Sequence, residues 1–186
     1  AVEVGQGADD AHAAPATAGG GLDQQREVRL RGLGGRGPER LRLGARRGFF
    51  GRRLVVTDTV FSMDGDVAPL ADLADAARRH GAMLLVDEAH AVGLYGPKGE
   101  GMTVALGLEH QVFAQVITYG KAMGAHGAAV VGPNVFRDFL INYSRAFIYT
   151  TGLPTHALLA LKCGYTLLPE LTPERERVQQ LATRLY

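Results

Sequence analysis

The sequence contains one cysteine, almost no net charge and no long apolar run. Because Cys163 is alone, an internal disulfide is excluded and a reducing compartment is indicated, so we expect a cytoplasmic protein. The formal net charge of +1 over 186 residues gives no general attraction to nucleic acid or to an anionic membrane. No apolar run reaches the roughly 18 residues that cross a bilayer. We therefore expect neither a nucleic acid nor a membrane as partner.

Residues 1–53 differ in composition from the rest of the chain. They hold ten of the twenty basic residues, all of them arginine, and are rich in glycine and alanine. No helical or strand-like apolar period persists there, so we predict an irregular leader. One interpretation is a basic arm that binds nucleic acid. The other, which we favour, is a disordered or non-native segment whose few apolar groups cannot offset the entropy lost on ordering.

From residue 54 onward, short apolar runs alternate with helical patterns. Four runs are predicted to be strands, namely Leu54–Thr57, Met83–Val86, Val112–Thr118 and Ala128–Val131. Three segments have apolar residues at helical spacing, namely Leu70–His80, Asn134–Tyr143 and Thr155–Leu168. This order of elements predicts an α/β fold, with a mostly parallel sheet flanked by helices.

Polar residues follow three of the predicted strands. Asp87 comes directly after one strand, Ser62 lies in the loop after another, and Lys121 follows a third. Ligands of parallel α/β sheets bind beyond the carboxyl ends of the strands. The three residues are therefore expected to lie at the same edge of the sheet.

The segment Asp87–His90, Asp-Glu-Ala-His, also resembles the Walker B strand of a helicase-type ATPase. Such an enzyme needs the phosphate loop G-x-x-x-x-G-K-[ST]. The only Gly-Lys pair is Gly120-Lys121, with Gln115 in place of the first glycine and Ala122 in place of the hydroxyl residue. An ATPase is therefore the least favoured hypothesis. A metal site is weaker still, since neighbours along one turn rarely face a single point and no second His/Cys cluster supports it.

A strand-end aspartate, a nearby histidine and a later lysine suit an enzyme that uses pyridoxal 5′-phosphate (PLP). Such an enzyme needs a lysine that bonds to the cofactor and then moves protons. It needs a carboxylate against the pyridine nitrogen, and hydrogen-bond donors for the phenolic oxygen and the phosphate. Lys121, Asp87 and His90 are the candidates for these roles.

Four segments of the chain resemble the α-oxoamine synthases, which are PLP-dependent enzymes of fold type I. They are VVTDTVFSMDGDVAPL, LLVDEAHAVGLYGPKGEG, ITYGKAMGAHGAAVVG and FIYTTGLP, and they occur in the order found in that family. The resemblance covers residues 54–169, about two thirds of the chain. It implies part of the large domain of a fold-type I transferase and a reaction in which an amino acid condenses with an acyl-CoA and loses CO₂.

The resemblance also implies roles for individual residues. Lys121 would carry PLP as a Schiff base and shuttle protons, and Asp87 would pair with the pyridine nitrogen. His90 and Ser62 would bind the phenolic oxygen from opposite sides, and Thr118 would bind the phosphate. The segment with Thr150 and Thr151 would reach the cofactor of a neighbouring subunit, which implies a homodimer.

The resemblance predicts three regions of the chain. Residues 1–53 would be the leader, 54–168 part of the PLP-binding domain, and 169–186 the start of a C-terminal domain. Because family segments that complete the site are not found in the sequence, we expect a fragment of the enzyme. The alternative is a non-catalytic remnant that associates with a full-length paralogue.

Overall fold

The computed structural model describes residues 27–29, 40–42 and 53–185. Within the predicted leader it describes two short strands, β1 (Glu27–Arg29) and β2 (Arg40–Arg42), which pair antiparallel. The rest of the predicted leader up to residue 52 lies outside the described residues.

A four-stranded sheet forms the centre of the fold. Its strands are β3 (Arg53–Asp58), β4 (Ala82–Asp87), β5 (Ala114–Thr118) and β6 (Ala128–Val131), and this is also their order across the sheet. The β3–β4 and β4–β5 pairs are parallel, and the β5–β6 pair is antiparallel. The predicted α/β class with a mostly parallel sheet is confirmed.

The direction of β6 follows from the short connection before it. Parallel neighbours need a crossover of a dozen or more residues, whereas antiparallel neighbours can be joined by a tight loop. Only residues 119–127 join β5 to β6, so the chain turns back as a hairpin. Thr118 therefore pairs with Ala128 at the end where the loop begins.

The core is the contact between the sheet and helix α1 (Leu70–Arg79). Val55 of β3 and Leu84 of β4 are almost completely buried, and they cluster with Leu70 and Leu73 of α1. Each buried aliphatic side chain of this kind contributes about 1.5–3 kcal/mol relative to its exposed state. The α1 helix thus fixes the crossover between β3 and β4, whose carboxyl ends point to the same edge.

The remaining helices flank the sheet. They are α2 (Met102–Ala105), α3 (Asn134–Tyr143), α4 (Arg145–Ile148), α5 (Thr155–Leu167) and α6 (Thr172–Leu185). The predicted helices agree with α1, α3 and α5 to within a residue. A 3₁₀ turn, Leu168–Glu170, follows α5 and contains Pro169. The sequence patterns did not predict α2, α4 or α6.

Helix α6 is attached to the loop after β4 by a buried arginine. The Arg175 guanidinium is 6% exposed and donates hydrogen bonds to Leu168 O at 2.6 Å, Thr172 Oγ1 at 2.7 Å and Pro97 O at 3.3 Å. Gln179 Nε2 adds a bond to Leu94 O at 3.1 Å. Contacts therefore cross the boundary predicted at residue 169, while the division into domains stays a prediction.

Several large apolar side chains remain exposed on the side of the fold formed by β6 and α3–α5. Val130 and Val131 are about half exposed, as are Phe139 and Phe147. The described residues provide no element that covers this side. No helix of the described residues is both long and apolar enough to cross a membrane.

We predict that Arg175→Gln lowers the free energy of unfolding by about 2 kcal/mol, because glutamine cannot satisfy the carbonyls that the buried guanidinium now bonds. Urea titration followed by circular dichroism measures the change. The control is Arg177→Gln, an exposed position on the same helix, where we expect a change within about 0.5 kcal/mol. Equal effects of the two substitutions would contradict an anchoring role for Arg175.

Candidate functional site

The carboxyl ends of β3, β4 and β5 meet at one edge of the sheet. Asp58, the last residue of β3, is the register partner of Asp87, the last residue of β4. Asp87 is in turn the partner of Val116, two residues before the end of β5. Thr118 and the loop with Lys121 therefore leave the sheet beside Asp87, at the edge where the sequence predicted a site.

Asp87 is half-buried and its orientation is fixed by the turn that follows it. Its Oδ1 atom accepts a hydrogen bond from the backbone N–H of Ala89 at 2.8 Å. This turn places His90, also half-buried, three residues beyond the aspartate. Because one carboxylate oxygen is held by the backbone, the other stays available to a ligand.

Glu88 is completely buried, and its carboxylate binds only neutral donors. Oε2 accepts from Thr59 Oγ1 at 3.0 Å and from Met102 N at 2.9 Å. Oε1 accepts from Thr103 N at 2.8 Å and from Thr103 Oγ1 at 2.5 Å. Glu88 thus joins the exit of β3, the turn after β4 and the first turn of α2, whose backbone N–H groups favour a carboxylate.

The loop after β4 approaches its neighbours so closely that glycine is required at two positions. A Cβ on Gly101 would lie 2.8 Å from Glu88 Oε2, and a Cβ on Gly93 would lie 2.5 Å from the Cβ of Ala122. Both glycines have positive φ angles, 118° and 88°, which glycine adopts without a steric penalty. The second contact brings the His90 loop against the residue next to Lys121.

Lys121 lies in the hairpin loop between β5 and β6. The Gly124 N–H donates to Lys121 O at 2.9 Å, and the Ala125 N–H donates to Tyr119 O at 2.8 Å. These bonds shape the loop from the backbone, and the Lys121 side chain itself is exposed. Its amine is therefore free to meet a ligand at the sheet edge.

Asp58 shares the electrostatic environment of the predicted site. Burial raises the pKa of its carboxyl above the ordinary value of 3.8, and the negative charge of Asp87 raises it further. The charges of His90 and Lys121 lower this pKa by smaller amounts. Asp58 and Asp87 thus lie side by side where their strands end, and the turn with His90 and the loop with Lys121 leave the sheet at the same edge.

The Thr118 hydroxyl is buried and has no hydrogen-bond partner among the described residues. Leaving a buried hydroxyl without a partner costs about 1–3 kcal/mol, so such a group marks a place where a ligand or water would be bound. The next residue, Tyr119, is buried and forms an edge-to-face contact with Tyr165. Burial and the hydrogen bond from Tyr165 to Tyr119 raise the pKa of Tyr165 well above its usual value.

Three predicted site residues are exposed, and no hydrogen bond between described residues connects them to this cluster. Ser62 is exposed in the loop that is closed by the Val60–Val67 bridge, and its side chain makes no hydrogen bond to a described residue. Thr150 and Thr151 are exposed between α4 and α5. The roles proposed for all three stay predictions.

Sequence reasoning missed the contributions of Asp58 and Glu88. Glu88 was considered only as part of the Asp-Glu-Ala-His segment, in an ATPase or a metal site, but its oxygens are occupied by four hydrogen bonds. No group of His, Cys, Asp and Glu side chains among the described residues is arranged to hold a metal ion. Asp58 was detectable in principle, because LVVTD and LLVD are two apolar runs that each end in aspartate.

Most of the chain matches a known protein family. The family profile described as aminotransferase class I and II matches residues 41–186. The 8-amino-7-oxononanoate synthase of Anaeromyxobacter dehalogenans (strain 2CP-C) is 46% identical over 134 residues, which are 72% of this chain and 34% of that protein. The chain thus spans about a third of the length of the curated relatives it matches.

Solved structures with similar folds belong to the same group of enzymes. A serine palmitoyltransferase of Sphingomonas wittichii superposes with a TM-score of 0.70 at 32% identity, over 77% of this chain and 36% of that one. An SPT structure with PLP gives a TM-score of 0.67 at 37% identity, over 75% and 35% of the two chains. The predicted fold-type I architecture, covering part of a large domain, is confirmed.

We predict that Glu88→Gln lowers the free energy of unfolding by about 3 kcal/mol, because the amide NH₂ would face donors and leave at least one of them unpaired. Thermal or urea unfolding followed by circular dichroism gives the value. Glu109→Gln, at an exposed position in the same region of the chain, serves as control and should change stability by less than about 0.5 kcal/mol. A loss at Glu88 as small as that of the control would show that the carboxylate does not hold the loop.

Proposed function

Since the chain belongs to the aminotransferase class I and II family, we propose that it carries the PLP-binding part of an α-oxoamine synthase. The observation that supports the proposal is that Asp87, the turn with His90 and the loop with Lys121 leave adjacent parallel strands at one edge of the sheet. A carboxylate, an imidazole and an amine at one strand edge are the groups that PLP chemistry needs.

The described residues fit PLP in the places where its polar groups would bind. Asp87 presents a carboxylate for the pyridine nitrogen, with one of its oxygens already held by Ala89 N–H. His90 would donate to the phenolic oxygen, with Ser62 on the other side of the ring. The buried Thr118 hydroxyl lacks a partner among the described residues and would donate to the phosphate. When bound, PLP would supply an aldehyde for the Lys121 amine and a ring that withdraws electrons from the substrate.

The protein residues would then orient the cofactor and move protons. Asp87 would keep a proton on the ring nitrogen, because a negative charge within a few ångströms favours the protonated form. Lys121 Nζ would bond to the cofactor and afterwards move a proton at the α-carbon of the substrate. Glu88 takes no part in these steps, but its four hydrogen bonds hold the turn that carries Asp87 and His90.

The reaction we propose is a condensation of an amino acid with an acyl-CoA, with loss of CO₂, as in 8-amino-7-oxononanoate synthase of biotin synthesis. The name of the Anaeromyxobacter relative and its 46% identity support this choice. The sequence also resembles the 2-amino-3-ketobutyrate CoA ligases of the same family. The functional unit would be a cytoplasmic homodimer, in which Thr150 and Thr151 approach the cofactor of the partner.

A second candidate function is association without catalysis. It is favoured by the exposed apolar side chains of β6 and α3–α5, which include Val131, Phe139 and Phe147. In that case the chain would bind a full-length paralogue and would not take up PLP alone. Purification of the chain with and without a co-expressed full-length family member separates the two functions.

We expect the purified chain to develop a visible absorbance band when it is incubated with PLP, because the Lys121 amine bonds to the aldehyde. Lys121→Ala should abolish the band. Lys162→Ala, an exposed lysine on α5, should keep it and serves as the control. A band that persists in Lys121→Ala, or that is lost equally in Lys162→Ala, would contradict the role of Lys121.

We predict that Thr118→Val weakens PLP binding about tenfold, since a charge-assisted hydrogen bond to the phosphate would be lost. The same substitution should leave the stability of the PLP-free chain unchanged or raise it by up to about 1 kcal/mol, because an unpaired buried hydroxyl is removed. Equilibrium dialysis and thermal unfolding measure the two quantities.

Thr103→Val is the matched control, since its hydroxyl donates to Glu88 in the free chain. Here we expect stability to fall by about 1–3 kcal/mol. A Thr118→Val variant that loses stability to the same degree would show that its hydroxyl has a partner within the protein and is not reserved for phosphate.

A further inference from the structure

We propose that Asp58 is a positioning residue of this site: its carboxylate acts on Asp87 as a second negative charge where the cofactor's ring nitrogen would lie. This role rests on the proposed function, and it adds a residue that the resemblance to the α-oxoamine synthases did not assign. It concerns the protonation of the cofactor ring and not a direct contact with substrate.

The geometry comes from the register of two parallel strands. Asp58 and Asp87 are Cα partners and both are half-buried, while their preceding residues, Thr57 and Val86, are both buried. Register partners on parallel strands point to the same face, and the strands are about 4.8 Å apart. Two carboxylates are therefore held side by side on one face of the sheet, at the end where the loops leave it.

The hydrogen bonds distinguish the two aspartates. The Asp87 carboxylate is held by Ala89 N–H, and the backbone oxygen of Asp87 accepts from the N–H of Thr59. The Asp58 carboxylate receives no hydrogen bond from a described residue, and only its backbone oxygen accepts one, from Thr57 Oγ1. The fold thus fixes Asp87 and leaves Asp58 to act through its charge.

The charged groups that act on the pKa of Asp58 come from β4 and from two neighbouring loops. Asp87 lies on β4, His90 on the turn after it, and Lys121 on the loop after β5. Burial and Asp87 together outweigh the two basic groups, so the pKa of Asp58 is raised. In the PLP-free chain the negative charges of Asp58 and Asp87 therefore repel each other. A protonated ring nitrogen of PLP beside Asp87 would relieve that repulsion.

The sign of the effect on stability follows from the raised pKa. Ionisation of Asp58 costs stability in the folded chain, and this cost is absent at pH values below about 3.8, where Asp58 is protonated in both states. The cost develops as the pH rises through the raised pKa and is complete above it. Removing the charge should therefore stabilise the PLP-free chain at neutral pH, which is the opposite of what loss of a purely structural contact would do.

The first experiment compares thermal unfolding of the PLP-free chain and of Asp58→Asn between pH 4 and pH 7. We expect Asp58→Asn to raise the midpoint by about 2–4 °C at pH 7, with the difference disappearing toward pH 4. Asp138→Asn, an exposed aspartate paired with Arg137, is the control and should give no rise. A midpoint that falls or stays the same at pH 7 in Asp58→Asn would overturn the proposal.

The second experiment compares the affinity for PLP with that for its 1-deaza analogue, in which carbon replaces the ring nitrogen. Asp58→Asn should weaken PLP binding about three- to tenfold, since a shift of one pKa unit corresponds to a factor of ten. Binding of the analogue should change less than twofold, roughly within the scatter of distant surface changes. Asp58→Glu keeps the charge and should restore most of the affinity for PLP. Equal weakening of both compounds would show a structural role and overturn the proposal.

The two experiments distinguish a failure of the Asp58 proposal from a failure of the proposed function. If the wild-type chain takes up no PLP, or if Lys121→Ala binds it equally well, the proposed function fails. The unfolding experiment still decides the Asp58–Asp87 pair in that case: a pH-dependent rise in Asp58→Asn supports it, and the absence of a rise contradicts it.

Discussion

The buried carboxylate of Glu88 is the interaction on which the arrangement of the site depends. A carboxylate without solvent is stable only when hydrogen bonds replace its hydration, and here Thr59, Met102 and Thr103 supply four of them. These donors belong to two separate segments of the chain, and Glu88 itself belongs to a third. Their common acceptor therefore decides where the exit of β3 and the first turn of α2 lie relative to the turn with Asp87 and His90.

Much of the fold was predictable because its elements are encoded locally. The apolar runs around Leu84 and Val116 and the helical spacing from Leu70 onward indicated strands and a crossover helix, and all of them are present. The rule that ligands bind beyond the carboxyl ends of parallel strands also predicts that Asp87 and Lys121 lie at one edge of the sheet. Periodicity predicts these elements because it depends only on neighbouring residues. Strand topology predicts the edge because it follows from a general rule of chain direction.

The remaining features depend on contacts between distant residues, which a single pattern does not encode. Glu88 belongs to a motif that resembles a nucleotide or metal site, and only its partners reveal a structural carboxylate. Arg175 belongs to the polar helix α6, and its guanidinium binds carbonyl oxygens of Pro97 and Leu168. The proposed role of Asp58 depends on the register of β3 and β4. The alternation of apolar and polar residues in the sequence does not determine that register.

The edge-to-face pair of Tyr119 and Tyr165 has an optical consequence. The chain contains six tyrosines and no tryptophan, so its ultraviolet emission comes from tyrosine alone. Tyr119 sits between Thr118 and the loop with Lys121, with its ring edge-to-face against Tyr165. An absorbing molecule at this strand edge would lie within energy-transfer distance of both rings. The protein thus carries an intrinsic optical reporter beside its own candidate site.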